Sequence, residues 1–292
     1  MQRAAFLSFA AVVMHRAAVV PTAAGPSTSL NLGPLIASFP GVVGVYARTL
    51  NPDSPVVAVR QSAPFAAASV IKLTVMLTAY RAFDAGTAHP SDRVRLREAD
   101  MVGGSPEFSY AIPGESHRLG SLIDAMIRQS DNTAANTLIT AFGFAAINAT
   151  IAAAGMSGTH LARHFADVVP TWRHNLNVTT ARDVGTLLYA IERGAHEGID
   201  TVARSSSCRA MIGIMLGQEY RDMIPAGIRR GVPVANKTGE LDGVRNDAAI
   251  VDPFGETPYV LVVLSRNDDG DAAVRSAIAS IAQRVDGSLG SW

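Results

Sequence analysis

The chain has 292 residues, 25 Lys+Arg against 25 Asp+Glu, a formal net charge of +0 and a hydrophobic fraction of 48%. A chain of that length can bury a sizeable core, and the balanced charge argues against a nucleic-acid or other polyanion partner. A single cysteine, Cys208, excludes an internal disulfide, and the body of the chain contains no 18-residue apolar run that would span a membrane.

Arg3, an apolar run over 4–14 and the small residues Thr22-Ala23-Ala24 follow the order of an export signal. Residues 1–28 are therefore expected to be signal peptide and linker, and the protein to be exported to a periplasm or the medium. A short helix is predicted over 29–39, then strands over 41–48 and 56–60 around a turn at Asn51-Pro52-Asp53. Residues 66–85 read as a helix ended by Gly86. Its residues Leu73, Val75, Met76, Leu77, Ala79 and Tyr80 surround it with apolar side chains, which marks a buried helix. Residues 89–97 are polar and loop-like, and Gly103-Gly104-Ser105-Pro106 is a turn. The 3.6-residue period of Leu122, Ile123, Met126 and Ile127 predicts a helix over 119–128. Helices over 133–141 and 145–154 follow. Residues 161–178 show no period and read as a long surface loop, the kind of segment that usually has a function. Thr179 or Thr180 caps a helix to about residue 193, and another covers 206–217. Strands over 232–238, 247–251 and 259–265, joined by tight turns, form an antiparallel meander, and a helix over 272–285 closes the chain. Strands at both ends with helices between them imply a fold of the α/β (α+β) class. An antiparallel sheet is built from both chain ends and flanked by the terminal helices, with an inserted all-helical lobe. The expected domain is 29–287, with a sheet lobe at 29–65 and 231–287, a helical lobe at 66–230, a tail at 288–292 and the active site in the cleft between lobes.

Three short motifs carry the chemistry. Ser69 and Lys72 stand three apart, so on a helix they share a face. A lysine at the start of a buried helix is costly to keep charged and becomes a base when it loses its proton, and a serine beside it is then an activated nucleophile. About one Ser-x-x-Lys is expected by chance in such a chain. The lysine usage adds weight: only Lys72 and Lys237 are lysine, and every other basic residue is arginine, which does not give up its proton. Lys237 opens Lys237-Thr238-Gly239, and Ser130-Asp131-Asn132 lies between the two lysines. Each of these triplets is expected by chance fewer than ~0.1 times.

Together, in this order, the motifs resemble those of the class A β-lactamase and penicillin-binding serine hydrolases, Ser-x-x-Lys, Ser-Asp-Asn and Lys-Thr-Gly, over about residues 30–287. The resemblance implies the β-lactamase/transpeptidase-like fold, a monomer and no cofactor. It implies that Ser69 attacks the carbonyl, that Lys72 takes the serine proton and that Ser130 passes a proton to the departing nitrogen with Lys237 assisting. The backbone N–H groups of Ser69 and Glu240 would form the oxyanion hole. Asn132 would hold Lys72 and bond a substrate amide, Lys237 and Thr238 would receive a substrate carboxylate, and Gly239 would let the substrate lie against the strand. Asp131 reads as a structural helix-terminal residue. The partner so implied is a small molecule, a β-lactam or an acyl-D-Ala-like carboxylate.

The chain departs from the family in two places. Family members carry Glu-x-x-x-Asn in the long loop, and that Glu activates the water that frees the acyl-enzyme. With the loop anchored on Arg163 and Thr179-Thr180, Phe165 stands at the Glu position and Val169 at the Asn position, and no Glu occurs between Glu115 and Glu192. Asp167, the loop's own carboxylate, is the candidate deacylation base, with the Glu240 side chain as an alternative. The second departure is Arg245, a candidate second carboxylate anchor. It lies one residue short of the family spacing, where Asn246 stands, and a one-residue slip turns a strand side chain to the other face. His160 and His164 have the i, i+4 spacing of a zinc pair, with His174 as an obvious third histidine. The Glu of His-Glu-x-x-His is missing, so they read as loop histidines and no metal is expected. The functional reading is a serine hydrolase that opens the β-lactam amide through a Ser69 acyl-enzyme, with slow deacylation. The alternatives are a D,D-carboxypeptidase or esterase and a non-turnover β-lactam-binding module.

Overall fold

The structure, a computed structural model, describes residues 30–51, 57–108, 110–166, 176–267 and 271–290. Helix α1 (Gly33–Ala37) carries Pro34 in its first turn, where a backbone N–H has no helical partner to lose. Strands β1 (Val42–Thr49) and β2 (Val57–Val59) pair antiparallel. Strand β3 (Phe65–Ala66) then leads into a 3-10 turn, Ala68–Ile71, and only after it comes α2 (Lys72–Asp84). The helix expected over 66–85 is thus shorter at its start. Ala68 holds φ at +46°, outside the right-handed helical region, so no α-helix can run through it. From Lys72 to Ala79 every residue of α2 is buried, as its all-round apolar pattern predicts.

The stretch read as loop contains β4 (Arg93–Arg95), which pairs with β5 (Ser116–Arg118). Helices α3 (Leu119–Arg128), α4 (Asn132–Phe142) and α5 (Phe144–Ala153) follow. Strand β6 (Val178–Thr179) pairs with β3 and so brings the end of the long loop beside the Ser69 turn. Next come α6 (Ala181–Glu197), whose Thr180 hydroxyl accepts from the Asp183 N–H as a cap, then α7 (Ser205–Leu216) and α8 (Ile224–Gly227). Strands β7 (Val234–Leu241), β8 (Val244–Val251) and β9 (Tyr259–Arg266) and helix α9 (Asp271–Leu289) complete the order.

The main sheet runs β2-β1-β9-β8-β7, with every neighbouring pair antiparallel. Its strands come from both parts of the chain, as predicted. The β7–β8 hairpin turns on Asp242-Gly243, where Gly243 takes φ +66°, the left-handed geometry that two-residue hairpins require. One core fills the space between the sheet and the helical lobe, and includes Val70, Leu73, Met76, Leu122, Leu138, Ala235, Ala248 and Val262. A second lies between the other face of the sheet and α9, with Val45, Ala249, Val263, Val274, Ile278 and Val285. Each fully buried aliphatic side chain in these cores stabilises the fold by about 1.5–3 kcal/mol. Strand β7 is at the sheet edge, and its free side meets the Ala68–Ile71 turn. Among the described residues no single helix is long and apolar enough to cross a membrane.

Candidate active site

Ser69 is half-buried in the 3-10 turn, immediately after the strained Ala68. Ser130 has φ +60°, so both motif serines lie at or next to a residue in the left-handed region. Such backbone costs on the order of 1 kcal/mol or more per residue and persists only where neighbours fix it. The neighbours are visible at the Ser69 turn. Ala67 N–H donates to the Asn177 carbonyl at 2.8 Å. The buried Asn246 amide donates to the carbonyls of Ala66 at 2.9 Å and Ala67 at 3.4 Å, while its oxygen accepts from Ser265 N–H at 2.9 Å. Gly239 closes the other side. A Cβ there would lie 3.0 Å from the Val70 nitrogen and 3.1 Å from the Ala67 oxygen, so only glycine lets β7 approach the turn this closely.

Lys72 opens α2 three residues on, and in a 3-10 turn residues three apart eclipse. Its side chain is fully buried. Nζ donates to the Ser130 carbonyl at 2.7 Å, to Ser130 Oγ at 3.3 Å and to Asn132 Oδ1 at 2.7 Å. Burial holds its pKa well below the ordinary lysine value; Lys237 pushes it further down and Asp131 opposes. Lys237 is also fully buried, with Nζ 2.9 Å from the Thr238 carbonyl. Its pKa falls to about 7 through burial, with Asp247 and Glu240 holding it up. Asp131 caps α4: one oxygen accepts from Ala134 N–H at 2.8 Å and the other from the N–H groups of Glu107 and Phe108, each at 3.0 Å.

Side chains along β7 alternate between the two cores: Ala235 belongs to the one under the helical lobe and Val234 to the one under α9. Lys237 and Gly239 therefore face the helical lobe, and Thr238 and Glu240 the α9 side. The Glu240 carboxylate accepts from Arg275 Nη2 of α9 at 2.6 Å, so its side chain is turned away from Ser69 even though its backbone lies next to the turn. Arg245 pairs across the ladder with Glu240. Its guanidinium is bonded to Asp271 and to the carbonyls of Leu241 at 2.6 Å and Val244 at 2.7 Å. It shares the face of Thr238 and not that of Lys237, and it is not brought to the lysine. Asn246 occupies the lobe-facing position instead. Asp167 lies outside the described residues. His160 forms a backbone bridge to Val178, and His164 Nε2 lies 3.2 Å from Thr140 Oγ1. Among the described residues no three His, Cys, Asp or Glu side chains are placed to hold a metal.

Two contacts were not legible in the motifs. The Phe165 ring lies over Lys72, with Nζ 4.4 Å from its centroid. Asn136 holds the Phe165 backbone at both ends, accepting from its N–H at 2.7 Å and donating to its carbonyl at 3.1 Å. The available signal was spacing: Asn136 follows Asn132 by four residues, one helical turn along the same face.

The arrangement can perform nucleophilic acyl transfer: a half-buried serine, an adjacent lysine that is easily deprotonated, a second serine bonded to that lysine and a strand edge packed on the turn. A model of the β-lactamase enzyme family matches residues 30–288. A β-lactamase of Bacillus amyloliquefaciens is 30% identical over 251 residues, 85% of this chain and 79% of its own length. The β-lactamase CTX-M-25 of Escherichia coli is 25% identical over 97% of this chain and 96% of its length. Among solved structures, the β-lactamase of Sphaerobacter thermophilus superposes with a TM-score of 0.78 at 29% identity, covering 90% of this chain and 97% of that one. A variant of PBP-A in acyl-enzyme complex with penicillin G superposes with a TM-score of 0.79 at 25% identity, covering 88% and 94%. Fold, motif geometry and relatives agree, and the chain belongs to the β-lactamase enzyme family as a β-lactamase-like serine hydrolase.

Proposed function

We propose that this enzyme opens the amide of a β-lactam ring by forming an ester on Ser69, and that it releases that ester slowly. In the first half, uncharged Lys72 takes the Ser69 proton as Oγ bonds the carbonyl carbon. The oxyanion is received by the backbone N–H groups of Ser69 and Glu240. As the ring C–N bond breaks, Ser130 gives its proton to the nitrogen and regains one from Lys72, which ends neutral. Lys237 receives the substrate carboxylate and Asn132 bonds the acyl amide; the Thr238 side chain leaves the opposite face of β7 and has no part in this step.

The observation that supports slow release is Phe165. Its ring covers Lys72 at 4.4 Å, at the loop position where family members carry the water-activating Glu. An aromatic ring takes no proton from water, and the loss of a general base from this position costs a factor of ~10²–10⁴. The same feature suits a D,D-carboxypeptidase or esterase. A module that never turns over is the limit of slow release.

Stopped-flow and steady-state assays with a chromogenic cephalosporin test the proposal. The expected result is a one-equivalent burst, abolished by Ser69→Ala, followed by slow turnover. Phe165→Glu is expected to keep the burst and raise turnover by ~10²-fold. Fast turnover in the wild type would overturn the slow-release reading. Absence of a burst together with release of D-Ala from a D-Ala-D-Ala peptide would select the carboxypeptidase.

A further inference from the structure

We propose that Asp100, Thr140 and His164 form a latch that holds the Phe165 ring over Lys72 and thereby sets the lifetime of the acyl-enzyme. The inference rests on the reading of Phe165 as a shield against water. It starts from α4. Asn132, Asn136 and Thr140 are spaced by four residues, so they lie along one side of a helix whose residues Thr133 to Ile139 are all buried. Each of the three holds a different part of the site. Asn132 accepts from Lys72 Nζ at 2.7 Å. Asn136 is bonded to both ends of the Phe165 peptide, at 2.7 and 3.1 Å. Thr140 meets His164, the residue immediately before Phe165, with Oγ1 3.2 Å from Nε2.

Thr140 has a single hydroxyl proton and donates it to Asp100 Oδ1 at 2.7 Å. A carboxylate only accepts, so the His164 ring must be the donor to Thr140, which places a proton on Nε2. Asp100 sits on a one-turn 3-10 helix, Glu98–Asp100, and is 4% exposed. Its second oxygen, Oδ2, is buried without a hydrogen-bond partner among the described residues. Its buried carboxylate therefore depends on Thr140 and on the His164 ring, 3.9 Å away. The Asp100 carbonyl also accepts from the Asn136 amide at 3.3 Å, which ties this turn to the Phe165 clamp. The His164 ring packs edge-on against Phe144 of α5, at 5.0 Å between centroids. Two adjacent loop residues are thus fastened to the same helix, α4, one through its side chain and one through its backbone. Removing the side-chain fastening leaves Asn136 as the remaining described bond on Phe165, and the ring gains freedom to move off Lys72.

His164, Thr140 and Asp100 are positioning residues in this scheme, and the test separates positioning from general damage. His164→Ala, Thr140→Val and the near-isosteric Asp100→Asn are compared with wild type in the cephalosporin burst assay, with the trapped acyl-enzyme chased to obtain its decay. Amide hydrogen exchange is followed in the peptide that contains Phe165. Acylation is expected within about twofold of wild type, with acyl-enzyme decay and Phe165 exchange each faster by about fivefold, the scale of one lost hydrogen bond. The His164→Ala/Thr140→Val double variant should do no more than either single change. His164→Gln, which keeps an N–H donor, should restore much of the slow decay.

Unchanged decay and exchange in folded variants would overturn the latch, as would a parallel loss of acylation and decay. If wild type forms no acyl-enzyme at all, the functional reading fails, and exchange alone decides the latch. Faster Phe165 exchange in all three variants supports it, and unchanged exchange removes it. If His164→Ala does not fold, Asp100→Asn and Thr140→Val carry the same comparison.

Discussion

Lys237 loses its charge near neutral pH because burial outweighs the pull of Asp247 and Glu240, which leaves its pKa at about 7. A lysine with a lowered pKa is charged below that value and neutral above it. If its charge attracts the substrate carboxylate, the second-order acylation constant must fall above about pH 7, since that constant reports the free enzyme. Lys72, lowered chiefly by burial, gives the opposite limb, because it must be neutral to accept the Ser69 proton. The expected profile is a bell whose alkaline limb disappears in Lys237→Arg, because a guanidinium stays protonated. A profile that is flat from pH 6 to 9, or one that keeps its limb in Lys237→Arg, would remove Lys237 from carboxylate binding. The two lysines of the candidate site stand out in the sequence for a chemical reason: every other basic residue is arginine, and both lysines are buried with a lowered pKa. The orientations could not be read. Arg245 and Glu240 differ from Lys237 only in which side of a strand they leave, and that is fixed by the alternation of β7 and the hairpin register. Phe165 appeared in the sequence only as a missing Glu. Its contact with Lys72 needs the loop, α2 and α4 together.

At the scale of elements, the site is a contact between the edge of β7 and the turn that precedes α2. The sequence reveals long elements well, because α2, α3 and the β7–β9 meander repeat their pattern over eight or more residues. It does not reveal β3, β4, β5 or β6, since two or three residues carry no period and pair only because the folded chain brings them together. The β3–β6 pair matters most, because it fixes the loop end beside Ser69. Gly239 is where the two halves of the site touch. In Gly239→Ala the new Cβ would meet Val70 and Ala67 at 3.0–3.1 Å, all but one of the contacts being backbone atoms. The strand must shift by a few tenths of an ångström, at a stability cost of about 1–3 kcal/mol. An oxyanion hole shared between the strand and the turn would open with it. Acylation is expected to fall by ~10²-fold, the scale of one misplaced oxyanion donor. A Gly239→Ala protein with the lowered melting temperature and normal acylation would show that the close approach serves packing alone.

At the scale of the molecule, two cores sit on opposite faces of one sheet, and α6 spans the lobe-facing core from the β3–β6 pair toward the β8–β9 turn. At that end Glu192 of α6 is 0% exposed. One carboxylate oxygen accepts from Phe254 N–H at 3.2 Å and the other is buried without a hydrogen-bond partner among the described residues. Burial pushes its pKa up to about 7; the Phe254 bond opposes this and Asp252 adds to it. No step of the proposed reaction uses this residue, so its effect is on stability. In the unfolded chain a Glu titrates near 4.3, so between about pH 4.5 and 7 the folded protein holds a proton that the unfolded one has lost. Stability is then highest below that window and declines as pH rises through it, because ionised Glu192 must be kept in a dry site. A shift of this size corresponds to about 3 kcal/mol. Glu192→Gln keeps the shape and an oxygen for Phe254 N–H but cannot ionise. Urea unfolding of both proteins at pH 5 and pH 8 isolates the contribution. The variant is expected to lose about 2–3 kcal/mol less than wild type between the two pH values and to be the more stable protein at pH 8. Equal slopes in the two proteins would mean that Glu192 is already ionised in the fold at pH 5, with water or a moved side chain serving its second oxygen.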